Sequence, residues 1–442
     1  MTGQPPPYGR TVRGNDWSVL DGVTPTDPPL VSVVVVHFEQ HDDLERTLRT
    51  LAAQAYPANR IEIIVVDDGS AAAPTVPAGV TLVLQDDLGF RAAAARNAGV
   101  AVSTGTVLCF LDADTTPEPG YISAMVRLPA VAPEAVTVGH RKHAELTGSE
   151  APVEIAGPAA ELPEPAWLSE AYAASRDLLD SDERSYRYVI GAVLACSRWF
   201  FDEVGGFDET FTTYGGEDWD WASRAWLAGA ILAHVPDAIA WHNGTDAAGR
   251  DPDSQAANKL KKNLETVALL SRIAVPGATG HGVAAAVPDV VVVIPAGEAA
   301  AVYQSVDLLL RALPTARIVV DAEFAGLFAH DSRIGYDAGV LSDGYRVLIE
   351  LSEPLRVRRR DADGFMSAIR AASDRVGRAD LGTVQFISPS SDLRVSITAG
   401  RAIIRSHRWP DAAGWRTEVV TMPLFPIEPG HGLAAYLGGW DD

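Results

Sequence analysis

Two apolar runs constrain this chain most: Val31-Ser32-Val33-Val34-Val35-Val36 and Ile61-Glu62-Ile63-Ile64-Val65-Val66. Between them, Leu44, Leu48 and Leu51 recur at helical spacing, so the order is strand, helix, strand. That order predicts a right-handed βαβ unit and a parallel sheet of the nucleotide-binding kind. The second run ends on Asp67-Asp68-Gly69-Ser70, acids where a glycine-rich phosphate loop would otherwise stand. Neither strand is followed by Gly-X-Gly-X-X-Gly or Gly-X-X-X-X-Gly-Lys-Ser/Thr, which argues against a dinucleotide enzyme and a P-loop NTPase.

A third apolar run, Thr106 to Leu111, stops at Asp112-Ala113-Asp114. Ligands of open α/β sheets bind outside the carboxyl ends of the strands, so these acids would face the crevice. Hard oxygen donors there suit Mg²⁺ or Mn²⁺ shared with substrate phosphates. Asp218/Asp220, Asp251/Asp253 and Asp361/Asp363 repeat the Asp-X-Asp spacing, but only Asp112/Asp114 follows a strand. A diphosphate would need basic partners too, and Arg91 and Arg96 are the candidates; the alternative is a pair of solvent-facing helix arginines.

The stretch Tyr214-Gly215-Gly216-Glu217-Asp218-Trp219-Asp220 sets two carboxylates directly after paired glycines. Trp219, Ala222, Ala225, Trp226 and Ala230 then follow at helical spacing, with Gly229 at the exit, which puts Glu217 and Asp218 in a first turn. The helix dipole favours ionised carboxylates there, unless burial intervenes, and an ionised carboxylate can accept a proton. An acidic helix cap has the same sequence appearance.

Together these motifs resemble the inverting family 2 glycosyltransferases of GT-A fold. The resemblance rests on Val31 to Val36, Val65 to Ser70, Ala95-Arg96-Asn97-Ala98-Gly99, Leu111 to Asp114 and Gly205-Gly206-Phe207-Asp208-Glu209, and covers residues 30 to 275. Gly206 to Phe211 with Tyr214 to Asp218 is also similar to the acceptor-side motif of β-1,4-galactosyltransferases and bacterial chondroitin-type polymerases. The resemblance implies a Rossmann-like, mainly parallel α/β domain. Asp68 would contact the base, with Asp67 in support, and Val36, Phe38, Arg91 and Arg96 would lie on the nucleotide side. Asp112 would lie near ribose and metal, and Asp114 and His242 would be metal ligands, although a lone strand-end histidine is otherwise a structural residue. Asp218 takes the catalytic-base position and Glu217 an acceptor-hydroxyl contact, with Tyr214, Gly216 and Trp219 on the acceptor side. Tyr214 departs from the galactosyltransferase pattern, which has Trp there.

The activity implied is metal-dependent transfer, with inversion, of a sugar from a nucleotide sugar such as a UDP-sugar to a hydroxyl of a glycan, peptide or small molecule, using Mn²⁺ or Mg²⁺. A two-carboxylate glycoside hydrolase fits less well, since adjacent residues of one turn point apart and hydrolases need no Asp-X-Asp. The other alternative is a non-catalytic nucleotide-sugar or glycan binder derived from a transferase.

At 442 residues the chain exceeds one typical core, so two domains are expected. The reading is an N-terminal extension at 1–29, the GT-A domain at 30–275, a linker at 276–285 and a smaller, non-catalytic α/β domain at 286–442. A net charge of −22 disfavours nucleic acid, anionic membrane and polyanionic glycan partners. Cys109 and Cys196, each within an apolar segment, read as reduced core thiols. With no secretory signal in Met1 to Leu30 and no apolar stretch of ~20 residues, a cytoplasmic protein without an integral membrane segment is expected, free to form a homo-oligomer.

Residues 140–187, polar and proline-bearing, read as a lid or acceptor-shaping insertion. Ala247 to Ser254 reads as a loop, and Ala257 to Ile273 as an amphipathic helix closing the first domain. The second half echoes the first: Val290 to Ile294, a helix at Val302 to Leu313, then Arg317 to Asp321. Gly364 to Arg370 echoes Gly89 to Ala95, and Gly382 to Ile387 echoes Gly105 to Leu111 with one residue missing. This predicts an internal duplication, a degenerate GT-A-like repeat with Ser388-Pro389-Ser390 in place of Asp-X-Asp and no second Gly-Gly-Glu-Asp.

Overall fold

The computed structural model describes residues 5–146, 161–212, 215–245, 252–279, 285–336, 344–410, 414–427 and 432–438. The chain divides into two compact units, residues 1–226 with 230–269, and residues 270–442 with 227–229.

The first unit is built on β1 (Val31–His37), β2 (Ile61–Asp67), β3 (Thr81–Leu84), β4 (Val107–Asp112), β5 (Thr115–Pro117), β6 (Ala135–Ala144), β7 (Glu161–Leu162), β8 (Val193–Ser197) and β9 (Ile231–Asn243). They form one sheet in the order β3-β2-β1-β4-β8-β6-β9-β5, with β7 on β6. β1 lies parallel between β2 and β4, pairing His37 with Asp67 and Val36 with Asp112. The acids that end β2 and β4 are thereby brought level. β5 runs antiparallel to β9 and pairs Thr115 with His242, which sets the histidine beside Asp114. Helix Ala92–Val102 packs directly on this sheet because it carries Gly99, where a Cβ would come within 2.4 Å of Val34 Cγ1.

Residues 5–29 are no separate extension. Val12 and Leu20 are buried with Leu128, Val131, Ile231 and Ala233, and the buried Asn15 amide donates to the carbonyls of Leu178 and Leu232. The 140–187 stretch is more regular than its composition predicts, with β6 running to Ala144, then β7, a helix Ala166–Ala174 and a 3₁₀ turn Ser185–Tyr188; residues 147–160 lie outside the described ones. The closing helix spans Pro252–Leu270, starting before Ala257 because proline tolerates a first helical turn. The division between units falls after Leu269 rather than after Val275.

The second unit contains β10 (Val290–Val293), β11 (Arg317–Val319), β12 (Ile334–Gly335), β13 (Val347–Leu351), β14 (Leu355–Arg356), β15 (Leu381–Ile387), β16 (Arg394–Ala399), β17 (Arg416–Thr421) and β18 (Phe425–Pro426). Its sheet order is β12-β11-β10-β13-β16-β15-β17, with β14 and β18 paired beside it in a two-stranded sheet. Place for place this is the first sheet: β10 to β13 stand as β1 to β4, then β16, β15 and β17 stand as β8, β6 and β9. The directions agree at every step, including the antiparallel strand beside β4 and β13 and the parallel pair beyond it. The antiparallel β14/β18 pair repeats β5 with the end of β9.

Two of the sequence echoes are misplaced, however. β15, at Gly382 to Ile387, stands where β6 stands and not where β4 does. The counterpart of β4 is β13, whose apolar run is broken by the exposed Glu350, so it lacks the sequence signature of a buried strand. The place of Asp112-Ala113-Asp114 is accordingly taken by Ser352-Glu353-Pro354, between β13 and β14, and not by Ser388-Pro389-Ser390. Gly364 to Arg370 lies in helix Ala362–Arg375, between β14 and β15, the place of helix Tyr121–Val131 rather than of Ala92–Val102.

Candidate functional site

The carboxyl ends of β1, β2 and β4 carry the residues expected on the nucleotide side. Asp67 is buried and fully engaged: its Oδ1 meets His37 Nδ1 at 2.7 Å, and it accepts from the Ser70 backbone N–H at 3.1 Å and from the Ser70 hydroxyl. It shapes the turn. Asp68 is also buried, and its Oδ2 accepts from the Arg91 backbone N–H at 2.8 Å, whereas Oδ1 has no partner among the described residues. Burial raises the Asp68 pKa from its ordinary value, with the Arg91 contact opposing. A buried orphan acceptor at a strand end is a good seat for a ligand N–H. Val36 is half-buried beside it, and Phe38 is 47% exposed.

At the end of β4, Asp114 Oδ2 lies 3.5 Å from His242 Nε2 and accepts from Gln40 Nε2 at 2.9 Å. Burial works against charge on both groups, yet their pairing prevails: Asp114 is held below the usual carboxylate range and His242 above the usual imidazole one. Asp112 is not drawn into this pair, because its Oδ1 accepts from Arg96 Nη2 at 3.0 Å. Among the described residues no three His, Cys, Asp or Glu side chains close around a metal position. The donors nevertheless fit Mg²⁺ or Mn²⁺, which are ordinarily held by one or two protein carboxylates plus substrate phosphates rather than in an all-protein cage. Asp114 and His242 would hold such an ion, with Asp112 alongside.

Arg96 is the surprise of the site. It is 3% exposed rather than solvent-facing, and its guanidinium bridges Asp112 and Glu217, donating from Nη1 to Glu217 Oε1 at 2.9 Å. The Phe207 ring lies 5.4 Å away, and Gly191 packs so closely that a Cβ there would come within 3.0 Å of Arg96 Cζ. One buried cation therefore ties the end of β4 to the acidic turn. Arg91, by contrast, enters the site through its backbone N–H.

The acidic turn begins with Gly215 and Gly216 at φ of +91° and +100°, which L side chains rarely adopt. Tyr214 lies outside the described residues. Glu217 opens helix Glu217–Leu227 as predicted; it is buried, and Oε2 has no partner among the described residues. Asp218 accepts from the Gly191 N–H at 3.1 Å and from the Trp219 N–H at 2.8 Å. The helix start alone predicts an ionised Asp218. Burial and the adjacent Glu217 instead push its pKa up to about 7. Trp219 is half-buried, with the Lys262 ammonium 3.9 Å from its ring centre and the Tyr186 ring edge-on at 5.9 Å.

Sequence reasoning missed Gln40, Gly191 and Lys262. Gly191 acts through its backbone and lack of a side chain, and Lys262 is one of several polar positions on an amphipathic helix, so neither carries a sequence signal. Cys109 and Cys196 are buried free thiols. Among the described residues no helix is long and apolar enough to cross a membrane.

Residues 32–156 match the family described as "Glycosyl transferase family 2", and residues 179–242 match the "N-terminal domain of galactosyltransferase". The chain is 31% identical over 213 residues to validoxylamine A glucosyltransferase of Streptomyces hygroscopicus subsp. limoneus, covering 43% of this chain and 46% of that protein. It is 26% identical over 324 residues to hyaluronan synthase of Pasteurella multocida, covering 66% and 32%. The alignments thus span half or less of either relative's length. Among solved structures it is similar to GalNAc-T7 with UDP, GalNAc and Mn²⁺, at a TM-score of 0.39 and 21% identity, covering 50% of this chain and 44% of that one. The family 2 match covers β1 to β6 with Asp68, Asp112 and Asp114, and the galactosyltransferase match covers β8 and β9 with Glu217, Asp218 and His242; over these segments the first unit is similar to family 2 glycosyltransferases and to galactosyltransferases.

Proposed function

We propose that the chain is a metal-dependent, inverting glycosyltransferase that moves a sugar from a nucleotide sugar, a UDP-sugar, to an acceptor hydroxyl on a glycan, peptide or small molecule. The observation that carries this reading is the state of Asp218. Two backbone N–H groups fix its carboxylate, and its pKa of about 7 suits a general base working near neutrality. Asp218 takes the proton of the acceptor hydroxyl while that oxygen attacks the anomeric carbon. The bond to the diphosphate breaks on the opposite face, so configuration inverts in one displacement and the nucleoside diphosphate leaves. Glu217, fixed by Arg96 through one oxygen, offers its second oxygen to orient the acceptor. Asp68 offers its orphan oxygen to the base. A divalent cation held by Asp114 and His242 would supply Lewis-acid stabilisation to the leaving diphosphate.

Two relatives named as a glucosyltransferase and a glycan synthase support the same class of reaction. In the second unit the connection between β16 and β17 carries a helix, Gly400–Arg408, without a Gly-Gly-Glu-Asp turn before it; this unit is assigned no catalytic role and is read as a duplicate of the first. A panel of UDP- and GDP-sugars with Mn²⁺, followed for hydrolysis or transfer in wild type and Asp218→Asn, tests the reading. Unchanged turnover in the variant removes Asp218 as the base. Donor binding without turnover across a broad acceptor set favours a decayed, sugar-nucleotide-binding protein instead.

A further inference from the structure

We infer that the second unit holds a ligand site of its own, for an anionic sugar, between helix Ala299–Ala312 and the run from Leu355 to Arg359. A cavity of about 470 Å³ opens there, of a size that small ligands occupy. On its wall sits Gln304, 2% exposed on the buried face of the helix, and among the described residues neither its amide nitrogen nor its oxygen has a hydrogen-bond partner. Burying an amide with both ends unused is costly, and an apolar residue of similar shape would be better tolerated. A polar side chain kept at such a position points to a ligand that uses it.

The rest of the wall says which ligand. Arg311, Arg356 and Arg359 line the cavity against Asp307 and Asp363, so the balance is positive. Four of the five residues from Arg356 to Arg360 are arginines, in a chain whose net charge is −22. Guanidinium groups recognise carboxylate and phosphate through paired N–H donors. The Gln304 amide and the aspartates complement hydroxyls, which both donate and accept. A molecule with one acid group among several hydroxyls, a carboxylated or phosphorylated sugar, satisfies both halves of the wall. The inference is independent of the donor site in the first unit.

Calorimetric titration of the full chain with glucuronate, glucose 6-phosphate, glucose and inorganic phosphate tests it. At least one anionic sugar should bind about tenfold or more tightly than glucose or phosphate, and Gln304→Leu and Arg356→Ala should each weaken it about tenfold or more. Asp218→Asn should bind it as wild type does, and Gln304→Leu should melt no lower than wild type, since the deleted amide satisfies nothing in the fold. Response to glucuronate alone fixes the acid as a carboxylate, and to glucose 6-phosphate alone as a phosphate. Phosphate binding as tightly as either sugar overturns the sugar assignment. Absence of binding, loss of binding in Asp218→Asn, or unchanged affinity in both second-unit variants overturns the site and leaves a cavity that merely holds water around Gln304.

Discussion

The two units repeat one strand order, each in its own sheet, and differ in what is hung from it. Strand order and direction agree between them apart from β7, which has no counterpart among the described residues of the second unit, yet the connections do not. Between β6 and β8 the first unit inserts residues 145–192, including the Gly191 that holds Asp218, whereas β15 and β16 are joined by residues 388–393 alone. Between β8 and β9 it inserts residues 198–230 with the acidic turn and its helix, while β16 and β17 are joined by residues 400–415. The sheet is a scaffold on which function is placed by the connections at its carboxyl edge.

The sharpest break in the comparison is chemical. Asp218→Asn should lower kcat by about 10²- to 10⁴-fold, the usual contribution of a general base, with no loss of fold by circular dichroism. Glu353→Gln, at the place in the second unit that matches Asp-X-Asp, should leave turnover as it is. A comparable loss from Glu353→Gln would mean that the second sheet also carries chemistry. Next in size is stability. Arg96→Ala leaves Glu217 buried without its cation and should destabilise the first unit by about 3–5 kcal/mol in urea unfolding. Arg346, 6% exposed and paired with Asp289 at 2.8 and 2.7 Å, is one of several buried arginines of the second unit. Arg346→Ala should shift the second unit's transition by a similar amount while kcat stays unchanged. Activity loss from Arg346→Ala at full occupancy of the folded state would contradict this division of labour.

Much of the first unit was legible in the sequence because its strands are buried on both faces. Val31–His37 and Val107–Asp112 read as apolar runs, and the acids that end them stand out against that background. The second sheet was half legible. Val290–Val293 has the same signature, but Glu350 interrupts β13 and the real counterpart of β4 was passed over for Gly382 to Ile387. The acidic turn could be named from its glycines, but its electrostatics could not. A first-turn carboxylate is expected to ionise readily, and only the burial of Asp218 beside Glu217 reverses that. Arg96 was legible as a cation near the site and not as a bridge, since its two partners are distant in sequence.

That reversal predicts a pH dependence confined to the first unit. The base must be ionised, so kcat/KM should fall about tenfold per unit as pH drops below about 7 and level off above it. Stability runs the other way. The folded pKa is raised from 3.8 to about 7, so the native state holds this proton more tightly than the unfolded chain, and the stability it contributes is lost as pH rises through that window. Asp218→Asn should therefore raise the melting temperature at pH 8 by several degrees and make no difference at pH 3.5. A variant that melts lower at pH 8 would show that the two N–H contacts outweigh the cost of burying the charge.

The smallest effect concerns the acceptor side. Lys262 places its ammonium over Trp219 and pairs with Glu265 at 2.6 Å, and a Cβ on Gly215 would come within 3.0 Å of Glu265 Oε2. Helix Pro252–Leu270 thus braces both the indole and the glycine turn from outside the sheet, a support with no counterpart among the described residues of the second unit. The contact is partly exposed, so a cation–π energy of about 0.5–1 kcal/mol applies. Lys262→Ala should raise the acceptor KM about two- to fivefold with kcat and donor KM unchanged, because Trp219 would lose its fixed orientation while Asp218 keeps both of its N–H donors. A fall in kcat as large as the rise in KM would place the brace on Asp218 itself, and Lys262→Arg, which preserves the cation over the ring, should then restore it.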